Sequence, residues 1–341
     1  MFTKASIGGI HLDAAGLVAL ADLDTIARRT SLIGSASFLD VLYLAPGIHC
    51  QQKASEINGG EYPMAGAMHN GYVFRIENPA TVSYLQRIGK PGHLTTVAVS
   101  EELPMDWAGL IGELLRTEKL ATLLFFIGLT ANIVVIALLG SIRDWWALGV
   151  LGMLMLARLV NVVVIKLRQD KNGFKGAKES KQRCDLLVLL SQDRWVRMTG
   201  DVNDIKAVTA GQWLRESEKP ESFAVSFGTL LVYGSAALAG NASTIGSLLT
   251  AVLLLVSVGV LGLVNAATKS LHMFNRRVTI AEKPKRYSRR LKMVAALLEE
   301  QAEERKKDGG SGDWDEDWAV NMNVWKRGQK PPLDDDGESA S

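Results

Sequence analysis

Four uninterrupted apolar runs constrain this chain more than anything else in it. Leu120–Leu139 is 20 residues long and uncharged, Trp145–Ile165 is 21 with the single charge Arg158, and Phe223–Gly240 and Ile245–Ala267 are 18 and 23 without charge. A helix needs about 20 mainly apolar residues to cross a hydrocarbon core of roughly 30 Å, so each run predicts a transmembrane helix. Gly140–Asp144 joins the first two and Asn241–Thr244 the last two. Connections this short predict two antiparallel hairpins. Leu32–Leu44 is apolar in patches, but Asp40 and Pro46 argue against a fifth span. A mean hydropathy of +0.11 alongside 22% charged residues is therefore an average over two populations, apolar blocks and polar ones. That composition excludes a disordered, collagenous or disulfide-framework chain.

Lysine and arginine are distributed asymmetrically about these runs. Of 38, nine precede the first run or open it, twelve lie in Lys166–Lys219 and fifteen follow Ala267, against one in the first turn, Arg143, and none in the second. The positive-inside rule then predicts that both termini and the central loop are cytosolic, in an endomembrane or the plasma membrane. The N-terminus shows no cleavable signal peptide: His11 and Asp13 interrupt Ile7–Ala21. Asn241-Ala242-Ser243 matches a glycosylation acceptor on the opposite side, set flush against two spans.

The expected fold class is an α-helical membrane protein with four transmembrane helices in two hairpins, cytosolic α+β regions and a disordered C-terminal tail. Residues 1–118 form an N-terminal cytosolic region in which Tyr72–Ile76 and Leu94–Val99 read as strands. Met105–Glu118, with Trp107, Leu110, Leu114 and Leu115 at helical spacing, predicts an interfacial helix. Residues 119–166 and 222–268 are the two hairpins, and 167–221 is an α+β insert: a β-hairpin over Asp185–Thr199, then a helix over Val202–Leu214. The insert is too small to bury a core alone, so it packs on the N-terminal region, a second copy or the membrane surface. Residues 269–307 form a basic juxtamembrane segment and an amphipathic helix with Leu291, Val294, Leu297 and Leu298 on one face. Residues 308–341 read as a disordered acidic tail.

No catalytic motif is present: no Walker loop, dinucleotide fingerprint, nucleophile elbow or His-Glu-x-x-His. Thr199-Gly200-Asp201-Val202-Asn203-Asp204 resembles the hinge motif of P-type ATPases but lacks one of its glycines, and the chain has no Asp-Lys-Thr-Gly-Thr to phosphorylate. Gly200 ending a strand and Asp201 or Asn203 capping a helix account for it better. Two cysteines, Cys50 and Cys184, and five scattered histidines predict no metal or cofactor site.

Arg158 breaks the apolar pattern, at an insertion cost of about 2.5–3.5 kcal/mol. No Asp or Glu lies in any of the four runs, so it has no carboxylate partner there. Two readings stand. Its stem snorkels to the cytosolic interface, in which case Arg158→Leu is tolerated. Alternatively it contacts an anion or lipid headgroup within a polar cluster with Asn161, Asn132 and Asn265. Ala236-xxx-Gly240 and Gly262-xxx-Ala266 favour close helix approach. Beyond the last run, Arg276, Arg277, Lys283, Lys285, Arg286, Arg289, Arg290 and Lys292 stand against one acidic residue, Glu282. That density predicts attraction to an anionic leaflet.

Arg143-Asp144-Trp145-Trp146 through Ala157-Arg158-Leu159-Val160-Asn161, and Asp185–Leu190 with Ser191-Gln192-Asp193-Arg194-Trp195-Val196-Arg197 through Gly211-Gln212-Trp213-Leu214, resemble a family of uncharacterised multi-pass membrane proteins of filamentous fungi. The likeness runs from about Leu110 to Lys292 and implies four spans and a fungal source, with no activity attached. The expected function is a non-enzymatic membrane anchor or scaffold presenting a cytosolic surface to protein partners and anionic lipid, with no nucleic acid, as a monomer or homo-oligomer. The alternative is an oligomeric transporter or channel-like protein for an anionic or lipid solute.

Overall fold

The computed structural model describes residues 14–101, 118–169, 176–307 and 314–329. In chain order the helices are α1 (Ala14–Ala19), α2 (Thr25–Ile33), α3 (Pro79–Ile88), α4 (Lys119–Ser141), α5 (Trp145–Arg168), α6 (Val202–Thr209), α7 (Lys219–Leu238), α8 (Thr244–Ala267), α9 (Arg290–Lys307) and α10 (Asp317–Asn321). The strands are β1 (Met64–Ala67), β2 (Val73–Arg75), β3 (His93–Val99), β4 (Arg183–Leu190), β5 (Arg194–Asp201), β6 (Leu271–Met273), β7 (Arg276–Ile280) and β8 (Lys285–Arg286). These elements form two compact units. The first gathers Met1–Gly59, Leu103–Gly173 and Gln212–Asn275, and the second gathers Gly60–Glu102, Phe174–Gly211 and Arg276–Ser341. The N-terminal region read from sequence as one body, 1–118, is thus divided at Gly59. Its expected interfacial helix, Met105–Glu118, lies almost wholly outside the described residues.

The first unit contains the four apolar runs. α4, α5, α7 with its 3-10 extension to Asn241, and α8 are each long and apolar enough to cross a membrane. Each connecting turn is closed by a cap. Asp144 caps α5 by accepting from the Ala147 N–H at 3.2 Å, and Ser243 caps α8 by accepting from Gly246 at 3.1 Å. Asp144 also accepts from the Ser243 N–H at 2.9 Å, so one buried carboxylate ties the two turns together. The first expected hairpin, α4 with α5, packs along its length only lightly, α7 and α8 scarcely touch beyond their connecting turn, and the main packing pairs α5 with α7 and α4 with α8. Gly228 lies at the first of these contacts, though a side-chain methyl would also fit there. A Cβ on Gly228 would stand 3.4 Å from Asn161 Nδ2 and 3.6 Å from the Ala157 carbonyl. Gly262 has nothing within 4 Å of a Cβ, so its small-residue pattern serves no packing among the described residues. Outward-facing Leu120, Phe126, Ile133, Leu156, Leu230 and Leu255 remain exposed, with Trp145 and Trp146 at the start of α5.

The second unit is a twisted mixed sheet with strand order β2-β1-β4-β5-β3-β7, and β8 also pairs with β3. β3 and β5 run parallel, in register Leu94 with Trp195, and β1–β2, β1–β4, β4–β5, β3–β7 and β3–β8 are antiparallel. β4 and β5 form the expected hairpin, turning at Gln192 and Asp193, which both take positive φ. The central strands are buried on both faces, since successive side chains point to opposite sides and Leu186, Leu187, Val188, Trp195, Val196 and Met198 are all buried. Leu187 and Trp195 pack in one cluster with Met293, Val294, Leu297 and Leu298 of α9 and with Trp318, Met322 and Trp325. Two expectations are corrected here. The helix read from sequence as part of a separate juxtamembrane segment buries Val294, Leu297 and Leu298 in this core, with Leu291 packed against it. Residues 314–329, read as part of a disordered tail, fold: indole rings have apolar area enough to dock on α9, and Trp318 donates its Nε1–H to Gln301 at 2.9 Å.

Candidate functional site

The first unit holds an arrangement that periodicity could not reveal. Residues 34–55 run through the helix bundle as two 3-10 stretches, Phe38–Leu42 and Ile48–Ser55, joined by an irregular turn. The segment starts where the Gly34 carbonyl accepts from Gln169 at 2.9 Å, beside the end of α5. It passes Tyr43, whose hydroxyl donates to the Ser257 carbonyl at 3.2 Å, and Leu44, whose N–H donates to Asn132 Oδ1 at 3.1 Å. Ser257 is ten residues from the near end of α8, so this turn lies about 15 Å along the bundle. The segment then returns to Gln52, which accepts from Arg168 NH1 at 2.7 Å. It enters and leaves at one end.

Irregular backbone inside a helix bundle needs partners for its polar groups, because it lacks a ladder of its own. The polar residues of the apolar helices supply them. Arg158, fully buried, donates Nε to the Asp40 carbonyl at 3.2 Å and NH1 to Gln51 Oε1 at 2.8 Å. Asn161 Oδ1 accepts from Gln52 Nε2 at 3.1 Å. Asn132 accepts from Leu44 and donates to the Gly128 carbonyl at 2.9 Å, and Asn265 donates to the Thr25 carbonyl at 2.9 Å. Gly128 makes room for the segment, since a Cβ there would fall 2.3 Å from the Tyr43 hydroxyl. The four side chains read from sequence as one polar cluster therefore engage successive points on residues 25–52. Snorkelling is corrected as well: the Arg158 head turns inward to a carbonyl and an amide oxygen.

In the second unit the eight basic residues read as one lipid-binding stretch divide. Arg276 is buried and donates Nε to Asp204 Oδ1 at 2.6 Å, so it is a structural residue. Arg277 and Lys292 are half-buried, and Arg290 pairs with Asp193. Lys283, Lys285, Arg286 and Arg289 are exposed. In Thr199–Asp204, Asp201 caps α6 through the Asn203 N–H at 2.9 Å, and Asp204 is taken by Arg276. Those carboxylates serve the fold.

Neither cysteine forms a disulfide. Cys184 Sγ lies 2.9 Å from His69 Nδ1, but burial pushes its thiol up to about 12, which withholds the thiolate a nucleophile requires. Burial raises the Cys50 thiol to about 12 as well, but its neighbours are of another kind. Asp22, His49 and Cys50 offer ligand-type atoms that all lie within 4.8 Å of one another. Sequence reasoning missed this because Asp22 is remote from His49-Cys50 along the chain; the adjacent His-Cys pair was the only visible sign. Compared with family models, curated proteins and solved structures, the chain matches none.

Proposed function

We propose that this chain is an integral membrane scaffold with both termini in the cytosol, whose sheet unit presents the exposed Lys283, Lys285, Arg286 and Arg289 to anionic lipid. One observation carries the reading. β1 and β3 precede the four long helices, β4 and β5 lie between the second and third, and β7 and β8 follow the fourth, yet all share one sheet. Strands from those three segments can hydrogen-bond only if the helices cross an even number of times between them. The lysine and arginine excess lies in the same three segments, and that side is cytosolic by the positive-inside rule. The resemblance to multi-pass proteins of filamentous fungi belongs to the same proposal.

The engagement of Arg158, Asn132, Asn161 and Asn265 by residues 25–52 supports a scaffold over a solute path, since a path needs polar groups turned to its lumen. Protein embedded in nanodiscs, with and without anionic lipid, tests the proposal by hydrogen exchange. Residues 283–289 gain protection in anionic discs and lose it as salt is raised. Equal exchange in neutral and anionic discs would end the lipid reading. In sealed vesicles, proteolysis of the 176–182 stretch with protection of a tag at Ser341 would end the topology.

A further inference from the structure

The turn between α1 and α2 and the second 3-10 stretch bring three kinds of metal-ligating atom to one place. Cys50 Sγ is 2.6 Å from Asp22 Oδ1, and both lie within 4.8 Å of a ring nitrogen of His49. His49 Nδ1 is buried and has no hydrogen-bond partner among the described residues. The two segments are held together by Gly47, whose φ of 90° and approach to the Leu23 carbonyl leave no space for a side chain. Lys53 Nζ, 3.2 Å and 3.3 Å from the two Asp22 oxygens, already places one positive charge against the carboxylate.

We infer that Asp22, His49 and Cys50 form a three-ligand site for a divalent ion of the zinc class. The donor set decides the class. Magnesium and calcium take oxygen ligands, whereas one sulfur, one imidazole nitrogen and one carboxylate oxygen suit zinc or cobalt. Separations under 4.8 Å let the three atoms converge on one ion at about 2.0–2.3 Å after small side-chain rotations. The fourth position of a tetrahedral site is then left to water, because Lys53 cannot ligate while it carries its proton. On binding, the Cys50 S–H bond breaks, a metal–sulfur bond forms, the proton passes to buffer, and the Lys53 ammonium gives up its place beside Asp22. The inference is independent of the scaffold reading, since it needs neither a membrane orientation nor lipid.

Cobalt(II) is the probe, added to the full-length protein in mild detergent. The expected result is one ion per chain with a thiolate-to-cobalt charge-transfer band, displaced by Zn²⁺, and about one proton released per ion across buffers of different ionisation heat. Cys50→Ser abolishes the band. His49→Gln and Asp22→Asn each weaken Zn²⁺ by more than the roughly tenfold that loss of a supporting partner costs. Lys53→Gln tightens binding, whereas loss of a merely structural ion pair would leave affinity unmoved. Cys184→Ser leaves the spectrum unchanged. Absence of the band from folded wild-type protein would overturn the site whether or not Cys50→Ser folds. So would a band that survives in Cys50→Ser, or one that vanishes in Cys184→Ser.

Discussion

The two units bury arginines under opposite rules. In the sheet unit Arg197 is buried between carboxylates, donating to Asp185 and, at 2.8 Å, to Glu300. Burial alone works against its charge, but Asp185 and Glu300 outweigh that and hold the guanidinium above its ordinary value. In the helical unit the hydrogen bonds of Arg158 go to neutral acceptors, the Asp40 carbonyl and the Gln51 amide oxygen, with the Asp40 carboxylate as a charged neighbour. Carboxylates accept the guanidinium hydrogen bonds in one, and a backbone carbonyl and an amide oxygen accept them in the other. The difference follows from the chain. The sheet unit sets Asp185 of β4 and Glu300 of α9 beside Arg197, while the apolar runs contain neither Asp nor Glu, so the buried cation there meets acceptors brought in by residues 34–55. A carboxylate can be mutated along with its arginine. A carbonyl cannot.

The largest expected effect tests the carboxylate rule. Arg197→Met strands Asp185 in the sheet and lowers stability by about 3–5 kcal/mol, the range for breaking a buried pair. Adding Asp185→Leu restores most of the loss, because Glu300 is half exposed and can turn to water. Chemical denaturation of the single and double variants measures the recovery, and strict additivity would contradict the pairing.

Arg158→Leu removes the donor for Asp40 and Gln51 and lowers thermal stability in detergent by about 2 kcal/mol. Arg158→Lys recovers only part, since an ammonium cannot reproduce both guanidinium bonds. Gln51→Leu in the Arg158→Leu background recovers less than Asp185→Leu does in the sheet, because the Asp40 carbonyl stays unpaired. Unchanged melting for Arg158→Leu would return the residue to a snorkelling role.

Asp144→Ala loses the α5 cap and its bond to the Ser243 N–H, at about 1–2 kcal/mol by the scale of helix N-caps. The loss is read by melting in detergent. Asp144→Asn keeps an oxygen acceptor and sits between the two.

The smallest effect is a pH dependence confined to the sheet unit. Burial pushes the Glu61 carboxyl up, but hydrogen bonds from Gln86 and Ser191 and the Arg194 charge outweigh it and hold it below the usual range. A depressed carboxylate stabilises above its unfolded pKa of about 4.3 and loses that contribution as pH falls through the folded value. Glu61→Gln therefore lowers stability by a constant amount from neutral to alkaline pH and flattens the acid limb of the stability curve. An acid limb identical to wild type would remove Glu61 from the account.

What was legible in the sequence was whatever depends on local pattern. Four runs of apolar residues place four long helices, since length and hydropathy are properties of contiguous chain. The short apolar run Asp185–Ser191 and the turn residues Gln192-Asp193 place a β-hairpin, and Asp201 at the start of α6 is a cap by its own short side chain. The tertiary structure decided what depends on distance through space. No periodicity marks residues 34–55 as a segment lodged among helices, because 3-10 turns bury no single repeating face. Arg158 has no partner within its own run, and its acceptors are more than a hundred positions away. Trp318 follows an acidic run and Trp325 precedes Lys326-Arg327, a charged context that reads as solvated, yet the apolar stripe of α9 supplies the surface on which they are buried. Asp22 and Cys50 converge because Gly47 alone permits the approach that joins their segments. Local composition sets which elements form, and packing chooses which polar groups meet.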